Sequence, residues 1–384
     1  MKLVYHLAST AVPGGSVRVL YNKIRWFIEK GGYEIVVVTT DQKGAPPYFT
    51  FPPEVKCIDL GINYWDDYSR NPISRFIVTS KKRRIHRKRL KEVLMREKPD
   101  ITIAHYPTEA WVAGTIKDGS KKVMEFHNSR FHRLASNVKG IHRLVAYYRT
   151  CQDKRYAKLF EKFIVLTQED ATQWGDMKNI LVIPNPILDF TEIADVKYSR
   201  TVIAVGRLVP QKRFDYLLEA WALLPPELRN SWNMRIFGDG QLESSLKEQI
   251  LRLGIQDSAS ILPPSKQIFK EYAKSAFLVM SSDYEGLPMV MIEAMSVGLP
   301  VVSFDFKCGP RDIIENGNNG FIVPLGNCGH LAKAMAQVME DEDLRTKMSL
   351  QAKLTSNAFL EDTIMDKWVK LFNELLGQKH VIKD

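Results

Sequence analysis

Short runs of apolar residues alternate along the chain with segments in which apolar residues recur every three to four positions. In the first half, residues 2–9 predict a strand, and the spacing of Val17, Leu20, Ile24 and Phe27 predicts a helix. Further strands are predicted at 33–40, 100–106, 122–127, 163–167 and 180–183, with a long basic helix at 74–98 and another within 140–162. Continuous apolar strands between amphipathic helices are typical of a parallel sheet covered on both faces.

The same alternation restarts after Pro184, Asn185 and Pro186 and a polar stretch that ends near residue 200. It predicts strands at 201–205, 234–237, 259–262, 277–281, 300–304 and 320–323, and helices at 213–224, 241–253, 266–275, 288–297 and 329–340. We therefore expect an α/β protein with two doubly wound, Rossmann-like domains, 1–186 and 201–360. Ligands of such sheets bind beyond the carboxyl ends of the strands, so the cleft between the domains is the expected site. A last apolar helix within 361–384 is expected to cross back to the first domain.

Composition excludes several classes of protein. With 384 residues, 45% apolar and 26% charged, the chain is neither collagen, coiled coil nor disordered. It contains no run of about 18 apolar residues and its first residues lack the layout of a signal peptide, so we expect a cytoplasmic protein. The four cysteines are far apart without a CxxC pair, which argues against a zinc site or a disulfide framework.

The net charge of +10 is unevenly divided. Residues 1–190 contain 32 Lys and Arg against 19 Asp and Glu, a net of +13, whereas 191–384 contain 22 against 25, a net of −3. A basic half is typical of proteins that bind nucleic acid, an anionic membrane surface or an anionic substrate. Eight of these cations lie within 81–91. We predict that this segment docks on an anionic membrane surface; the alternative is a solvated helix face.

Two carboxylates follow the strand predicted at 277–281. Glu285 lies just before a helix that Pro288 is suited to begin, and Glu293 falls about two turns into it. At ~1.5 Å per residue the two are separated by about 12 Å along the axis. That span suits a nucleotide sugar, with its hexose and ribose at the two carboxylates and its diphosphate at the positive helix end. The alternative is a pair of ordinary helix carboxylates.

Two cations follow the first strand of the second domain. Arg207 and Lys212 lie in the loop between that strand and a helix that begins near Phe214. Both can reach a diphosphate at the mouth of the cleft, where their charge would also stabilise a departing nucleotide diphosphate. We therefore predict that no metal or other cofactor is needed, although either residue alone is also compatible with a solvated loop.

The order of these motifs resembles the retaining GT-B glycosyltransferases of family 4. The resemblance rests on GG at 14–15, IPNP at 183–186, VGRLVPQK at 205–212, GDG at 238–240, EGLPMVMIEAM at 285–295 and GPRDIIENGNNGFIVP at 309–324. It implies the GT-B fold and transfer of a hexose or N-acetylhexosamine from a nucleotide sugar to a glycan or a polyprenyl-diphosphate-linked acceptor. Such a reaction belongs to cell-surface polysaccharide, capsule or lipopolysaccharide assembly, at the inner face of the plasma membrane.

The resemblance also implies roles for individual residues of the second domain. Arg207 and Lys212 would bind the donor diphosphate and neutralise the leaving group. Glu285 would contact the hydroxyls of the donor sugar, and Glu293 those of the ribose. The CGPRDII stretch at 308–314 resembles relatives that use UDP-sugars, so UDP is the expected nucleotide.

Further roles implied by the resemblance concern the edges of the cleft. Backbone N–H groups of Met289 and Val290 would touch the phosphates. Gly14 and Gly15 would let the first-domain loop approach the donor and the acceptor closely. His127, at the end of the strand KVMEFH, would contact the donor sugar; a structural histidine is the alternative.

The sequence departs from the family pattern where many relatives have glycine, at Pro288 and at Arg213. Pro288 removes one N–H from the predicted phosphate cradle. The resemblance further implies a same-face displacement that depends on positioning and on charge stabilisation of the leaving group.

Three alternatives to a glycosyltransferase differ in class or in chemistry. A nucleic-acid-binding protein would explain the basic half, but no helix-turn-helix, zinc or aromatic RNA-binding motif accompanies it. An NAD-dependent oxidoreductase would need GxGxxG after a first strand, which neither domain has. A sugar-nucleotide epimerase of the same architecture stays open, and would release an altered nucleotide sugar without an acceptor.

Overall fold

The computed structural model describes residues 1–377 except 13, 68, 70 and 136–138. Residues 378–384 of the predicted terminal helix therefore lie outside the described part of the chain. The described residues form two α/β domains, each built on a fully parallel sheet.

The first domain contains a seven-stranded sheet with the order β3-β2-β1-β4-β5-β6-β7. Its strands are β1 Lys2–Leu7, β2 Glu34–Thr39, β3 Lys56–Asp59, β4 Ile101–His105, β5 Lys121–Glu125, β6 Lys162–Val165 and β7 Ile180–Val182. Its helices are α1 Gly15–Lys30, α2 Pro72–Glu97, α3 Thr108–Ala113, α4 His132–Ala135, α5 Ile141–Ala157 and α6 Gln168–Gln173, with a 3-10 turn at Tyr64–Asp67. Separate apolar clusters cover its two faces, which explains the continuous apolar character of the strands.

The second domain contains a six-stranded sheet with the order β10-β9-β8-β11-β12-β13. Its strands are β8 Thr201–Val205, β9 Asn233–Phe237, β10 Ala259–Leu262, β11 Phe277–Met280, β12 Val301–Phe304 and β13 Gly320–Val323. Its helices are α7 Phe214–Ala222, α8 Pro226–Asn230, α9 Glu243–Leu253, α10 Ile268–Ala273, α11 Met289–Ser296, α12 Pro310–Ile313, α13 Cys328–Glu340 and α14 Glu342–Ser356, with 3-10 turns at Pro210–Lys212 and Asn357–Phe359. One continuous apolar core joins both faces of this sheet to its helices.

The chain passes between the domains twice, and the two passages lie side by side. The N–H of Ile187 donates to the carbonyl of Phe359 at 2.9 Å, next to a bridge between Ile187 and Leu360. The second passage leads into α15 Glu361–Leu376, whose apolar face, with Trp368 and Phe372, joins the core of the first domain. The terminal helix is therefore packed on the first domain, on the same side as α1.

The sequence pattern located most of these elements and missed some. It did not predict β3, α14 or the short helices α3, α4, α6, α8 and α12. Asp341, the single residue between α13 and α14, is the N-cap of α14 and accepts a hydrogen bond from the N–H of Leu344 at 2.8 Å. None of the helices in the described residues combines the length and apolarity that crossing a bilayer requires.

Candidate active site in the interdomain cleft

A cavity of about 480 Å³ lies where the carboxyl ends of the two sheets face each other. Both domains contribute to it, as the arrangement of two doubly wound sheets predicts. The first domain contributes Gly15, Ser16, His105, Tyr106, His127, Asn128, Ser129, His132, Leu166 and Asn185, and the second contributes Arg207, Gln211, Tyr284, Glu285, Gly286, Leu287 and Met289. The structure thus brings five of the predicted site residues to one cavity: Gly15, His127, Arg207, Glu285 and Met289.

Lys212 and Glu285 form an ion pair at the second-domain wall. The Lys212 ammonium lies 2.6 Å from Glu285 Oε1, and both side chains are largely buried, with 15% and 13% exposed. The Ser282 hydroxyl donates to the same carboxylate oxygen at 2.8 Å. Lys212 is therefore held beside the cavity through Glu285, although its own atoms do not line the cavity.

The loop that carries Arg207 and Lys212 is fixed to the loop that carries Glu285. The Gln211 amide donates to the Tyr284 carbonyl at 2.7 Å, and the Ser281 hydroxyl donates to the Lys212 carbonyl at 2.8 Å. These bonds hold the two loops in register. Lys212 and Glu285 are consequently held in fixed relative positions, which is the arrangement that electrostatic catalysis favours.

The helix α11 begins at Met289, with Pro288 as its N-cap. The N–H of Met289 donates to the Leu287 carbonyl at 2.9 Å, and the N–H of Met291 donates to the Pro288 carbonyl at 2.9 Å. A phosphate at this helix end would replace the Leu287 bond to reach Met289. Val290, the other predicted backbone donor, lies in the same first turn but does not line the cavity.

Glu293 is buried on α11 and forms an ion pair with Arg18 of α1. This pair joins the domains directly, because Arg18 belongs to the first domain and Glu293 to the second. Arg18 lies three residues after Gly15, the second glycine of the pair. The carboxylate expected to bind ribose hydroxyls is therefore paired with a first-domain guanidinium. Arg18 is a residue that sequence reasoning did not single out.

Among the glycines at the cleft, Gly286 is the one whose missing side chain the contact between the domains requires. No described atom outside the adjacent residues lies within 4 Å of a Cβ built on Gly14 or Gly15, and Gly14 has an extended backbone with φ −171°. At Gly286, in contrast, a Cβ would lie 2.2 Å from the His127 carbonyl oxygen. Gly286 is therefore needed for the contact between the two domains, whereas the predicted approach of Gly14 and Gly15 to the donor and acceptor stays a prediction.

His127 belongs to a buried cluster at the end of the first sheet. Its Nε2 lies 2.9 Å from Glu125 Oε2, and Nε2 of His105 lies 3.7 Å from the same oxygen. The other oxygen of Glu125 lies 2.6 Å from the Lys23 ammonium. Burial alone would raise the pKa of Glu125, but Lys23 and the two rings hold it well below its usual range. Burial lowers the pKa of His105 to about 3, so that ring is neutral.

The spacing of this cluster is also one that metal ligands use. One ligand-type atom from each of His105, Glu125 and His127 lies within 4.8 Å of the others. Glu125, however, is already paired with the Lys23 ammonium, so the charge of the carboxylate is balanced by the protein itself. Glu125 and Lys23 were not predicted from the sequence, because neither lies in a recognisable motif and their contact spans 102 positions.

The basic segment 81–91 lies in α2, and much of it is bound to its own domain. Lys82 pairs with Asp67 at 2.6 Å, Arg87 donates to the Thr115 carbonyl at 3.1 Å, and Arg89 donates to the carbonyls of Leu60 and Gly61. The guanidinium of Arg83 lies 4.8 Å from the centre of the Trp111 ring. About half of the eight cations thus have a structural role in addition to their charge.

Each half of the chain matches a family model of glycosyltransferases. Residues 13–187 match the family model "Glycosyltransferase Family 4", and residues 190–355 match "Glycosyl transferases group 1". The amylovoran biosynthesis glycosyltransferase AmsD of Erwinia amylovora is 34% identical over 226 residues, which are 56% of this chain and 63% of AmsD. A Campylobacter jejuni alpha-1,4-N-acetyl-D-galactosaminyltransferase, whose name includes a PP-undecaprenol-linked glycan, is 29% identical over 202 residues. These residues are 52% of this chain and 56% of that protein.

A solved structure extends the similarity of fold to nearly the whole chain. Staphylococcus aureus TarM, in complex with UDP and alpha-GlcNAc-glycerol, has a TM-score of 0.75 at 16% identity, over 97% of this chain and 100% of that one. The chain spans less than two thirds of the length of the two sequence relatives. The family models and the fold together confirm the predicted resemblance and the predicted fold class. The chain belongs to the GT-B glycosyltransferases, with a family 4 first domain and a group 1 second domain.

Proposed function

We propose that this protein transfers a hexose or N-acetylhexosamine from a UDP-sugar to a glycan or lipid-linked glycan acceptor, with retention of anomeric configuration. The observation that carries the proposal is the convergence of Arg207, the Lys212–Glu285 pair and the start of α11 on one cavity that faces His127. This wall offers cations for a diphosphate and a carboxylate for sugar hydroxyls. Glu293 lies farther along α11, where a ribose would follow the diphosphate.

The relatives support the choice of donor and acceptor. TarM is solved with UDP and an alpha-linked GlcNAc compound, and the Campylobacter protein is named for an undecaprenol-linked glycan. AmsD is named for biosynthesis of the polysaccharide amylovoran. A place in cell-surface polysaccharide assembly, at the inner face of the plasma membrane, is therefore part of the proposal.

The proposed reaction is a same-face displacement. The acceptor hydroxyl oxygen forms a bond to the anomeric carbon on the face from which the diphosphate departs, the bond between that carbon and the diphosphate oxygen breaks, and the hydroxyl proton passes to a leaving-group phosphate oxygen. Arg207 and Lys212 stabilise the charge that develops on the diphosphate, a role that needs no metal ion. Glu285 and His127 orient the sugar.

Attachment to an anionic membrane is a further part of the proposal. In addition to the basic segment 81–91, the helix α5 supports it. The helix buries Ala146, Thr150, Asp153 and Ala157. Its opposite face exposes five large apolar or aromatic side chains: Ile141, Leu144, Val145, Tyr147 and Tyr148.

The charges of α5 complement the same kind of surface. Exposed Arg143 and Arg149 flank the apolar face, and the only acidic residue of the helix, Asp153, is buried and accepts a hydrogen bond from the Tyr106 hydroxyl at 2.9 Å. An apolar face flanked by cations is typical of helices that lie in a membrane interface. We expect the double variant Leu144→Glu, Tyr148→Glu to sediment less with vesicles of anionic lipid, whereas Leu350→Glu, on the second domain, should behave as the unmodified protein. Equal sedimentation of all three would contradict the attachment surface.

The transfer activity is tested by a panel of nucleotide sugars. Each is incubated with the protein, with and without a lipid-linked or free glycan acceptor, and the products are followed by NMR. We expect UDP and UDP-sugars to raise the thermal midpoint, and one UDP-sugar to yield a product with the donor's anomeric configuration. Release of an altered nucleotide sugar without an acceptor would instead identify an epimerase. No stabilisation by any nucleoside diphosphate would refute a nucleotide-sugar site.

A further inference from the structure

A buried ion pair lies directly behind His127, and the reaction proposed above makes no use of it. The side chains of Lys23 and Glu125 are only 2% and 4% exposed, and their charged atoms are 2.6 Å apart. Lys23 comes from α1, and Glu125 is the last residue of β5. Burying two charges carries a desolvation cost that their mutual attraction often fails to offset, so such a pair calls for another explanation than stability.

Two elements besides its own helix, β5 and α15, hold the ammonium of Lys23. Besides Glu125, the Trp368 ring lies 3.7 Å from its Nζ, a cation–π contact from the helix α15 that returns from the second domain. The helix itself is tied to α1, since the Trp26 indole donates to Asp362 at 2.7 Å and Arg25 pairs with Glu361 at 2.7 Å. The pair is thus fixed from several sides and has little freedom to rearrange.

The hydrogen bond from Glu125 determines which nitrogen of His127 carries the proton. An ionised carboxylate only accepts, so the His127 Nε2, 2.9 Å from Glu125 Oε2, must donate. In a neutral imidazole the other nitrogen, Nδ1, is then an acceptor. His127 Nδ1 is buried and has no hydrogen-bond partner among the described residues, while the ring lines the cavity. A buried acceptor without a protein partner at the edge of a cavity is free to accept a hydrogen bond from a molecule bound there.

We propose that Lys23 and Glu125 are positioning residues that hold His127 in the tautomer whose Nδ1 accepts a hydrogen bond from a hydroxyl of the donor sugar. This rests on the proposed function, because it names the group that His127 meets. Lys23 acts on His127 only through Glu125. Its ammonium, 2.6 Å from Glu125 Oε1, balances the carboxylate and holds it in place as the acceptor for the His127 Nε2 proton.

The test replaces the ion pair by apolar side chains of similar size, with Lys23→Met and Glu125→Met combined. Such replacements of buried pairs are often neutral or stabilising, so the double variant is expected to fold with a thermal midpoint at or above that of the unmodified protein. We expect its kcat/KM for sugar transfer to fall about ten- to hundred-fold, the effect of one misdirected hydrogen bond. The Kd for UDP, which has no sugar for His127 to contact, should not change.

Two further measurements separate positioning from a structural effect. In a His127→Ala background the double variant should cause no additional loss, because its effect passes through the ring. Histidine labelled with nitrogen-15 should show an unprotonated Nδ1 for His127 in the unmodified protein and a mixture of tautomers in the double variant.

Several results would overturn the proposal: unchanged transfer by the double variant, losses that multiply with those of His127→Ala, or a protonated Nδ1 in the unmodified protein. Tight binding of Zn²⁺ to the unmodified protein that the double variant loses would do so as well, because the metal would then occupy the nitrogen assigned to the proton. If no donor is transferred at all, the proposed function fails, and the nitrogen-15 measurement still decides the tautomer.

Discussion

Replacing Lys212 by methionine tests the role of the second-domain cation most sharply. Its ammonium lies 2.6 Å from Glu285 Oε1 in a partly buried setting. With a diphosphate bound, the same ammonium would lie between the carboxylate and the leaving group. Methionine keeps an unbranched side chain only one atom shorter and removes the charge and the hydrogen bonds.

The expected magnitude follows from the interaction that is lost. A hydrogen bond to a charged group contributes about 1.5–3 kcal/mol. At about 1.4 kcal/mol per tenfold change in rate, Lys212→Met should lower kcat by roughly ten- to one-hundred-fold. Because the charge on the diphosphate develops mainly in the transition state, the effect on kcat should exceed that on the Kd for UDP.

The chain offers a matched control for this variant. Lys247 pairs with Glu243 at the same distance, 2.6 Å, but on an exposed helix surface with 55% and 44% of the side chains accessible. Lys247→Met should leave kcat and KM unchanged. The assay measures initial rates against UDP-sugar concentration, with UDP affinity determined separately by calorimetry. Equal kcat for Lys212→Met and the unmodified protein would refute the assigned role.

Two other predictions concern domain contact and pH dependence. In Gly286→Ala the new methyl group would overlap the His127 carbonyl, so the domains must separate by about 1 Å. We expect kcat/KM to fall about a hundred-fold with little change in the thermal midpoint. Unchanged kinetics would contradict the contact between the domains. Burial raises the pKa of Glu109 from 4.5 to about 7, so the folded state binds this proton more tightly than the unfolded state does. The free energy of unfolding should therefore decrease by about 3 kcal/mol as the pH rises through this interval. Urea unfolding at pH 5 and pH 8 should show a smaller decrease for Glu109→Gln; identical decreases would exclude Glu109 as the cause.

The parts of the fold that sequence could predict are those governed by local patterns. Buried parallel strands are apolar throughout, so β1, β4 and β11 were recognisable, and Pro288 correctly indicated where α11 begins. The edge strand β3 was missed because its residues are largely exposed, and α14 because its helical pattern follows another helix after one residue.

The residues of the candidate site also differ in how far a local sequence pattern could predict them. Arg207, Lys212, Glu285 and Glu293 lie within motifs of fixed spacing, so sequence alone could bring them together. The contacts of Arg18 and Lys23 join residues far apart in the chain, with no short-range signal, and Glu125, although only two residues before His127, meets Lys23 across 102 positions. Gly286 stands within a recognised motif, but its function depends on the position of the opposite domain, which no local pattern encodes.

The central claim is that a UDP-sugar binds in the cleft along the start of α11, and a crystal structure of the protein with UDP tests it most directly. The account predicts the diphosphate beside Arg207, Lys212 and the N–H groups of Met289 and Val290, with the ribose hydroxyls at Glu293 in place of Arg18. A nucleotide bound elsewhere, with the Arg18–Glu293 pair intact and the cleft occupied only by solvent, would contradict it.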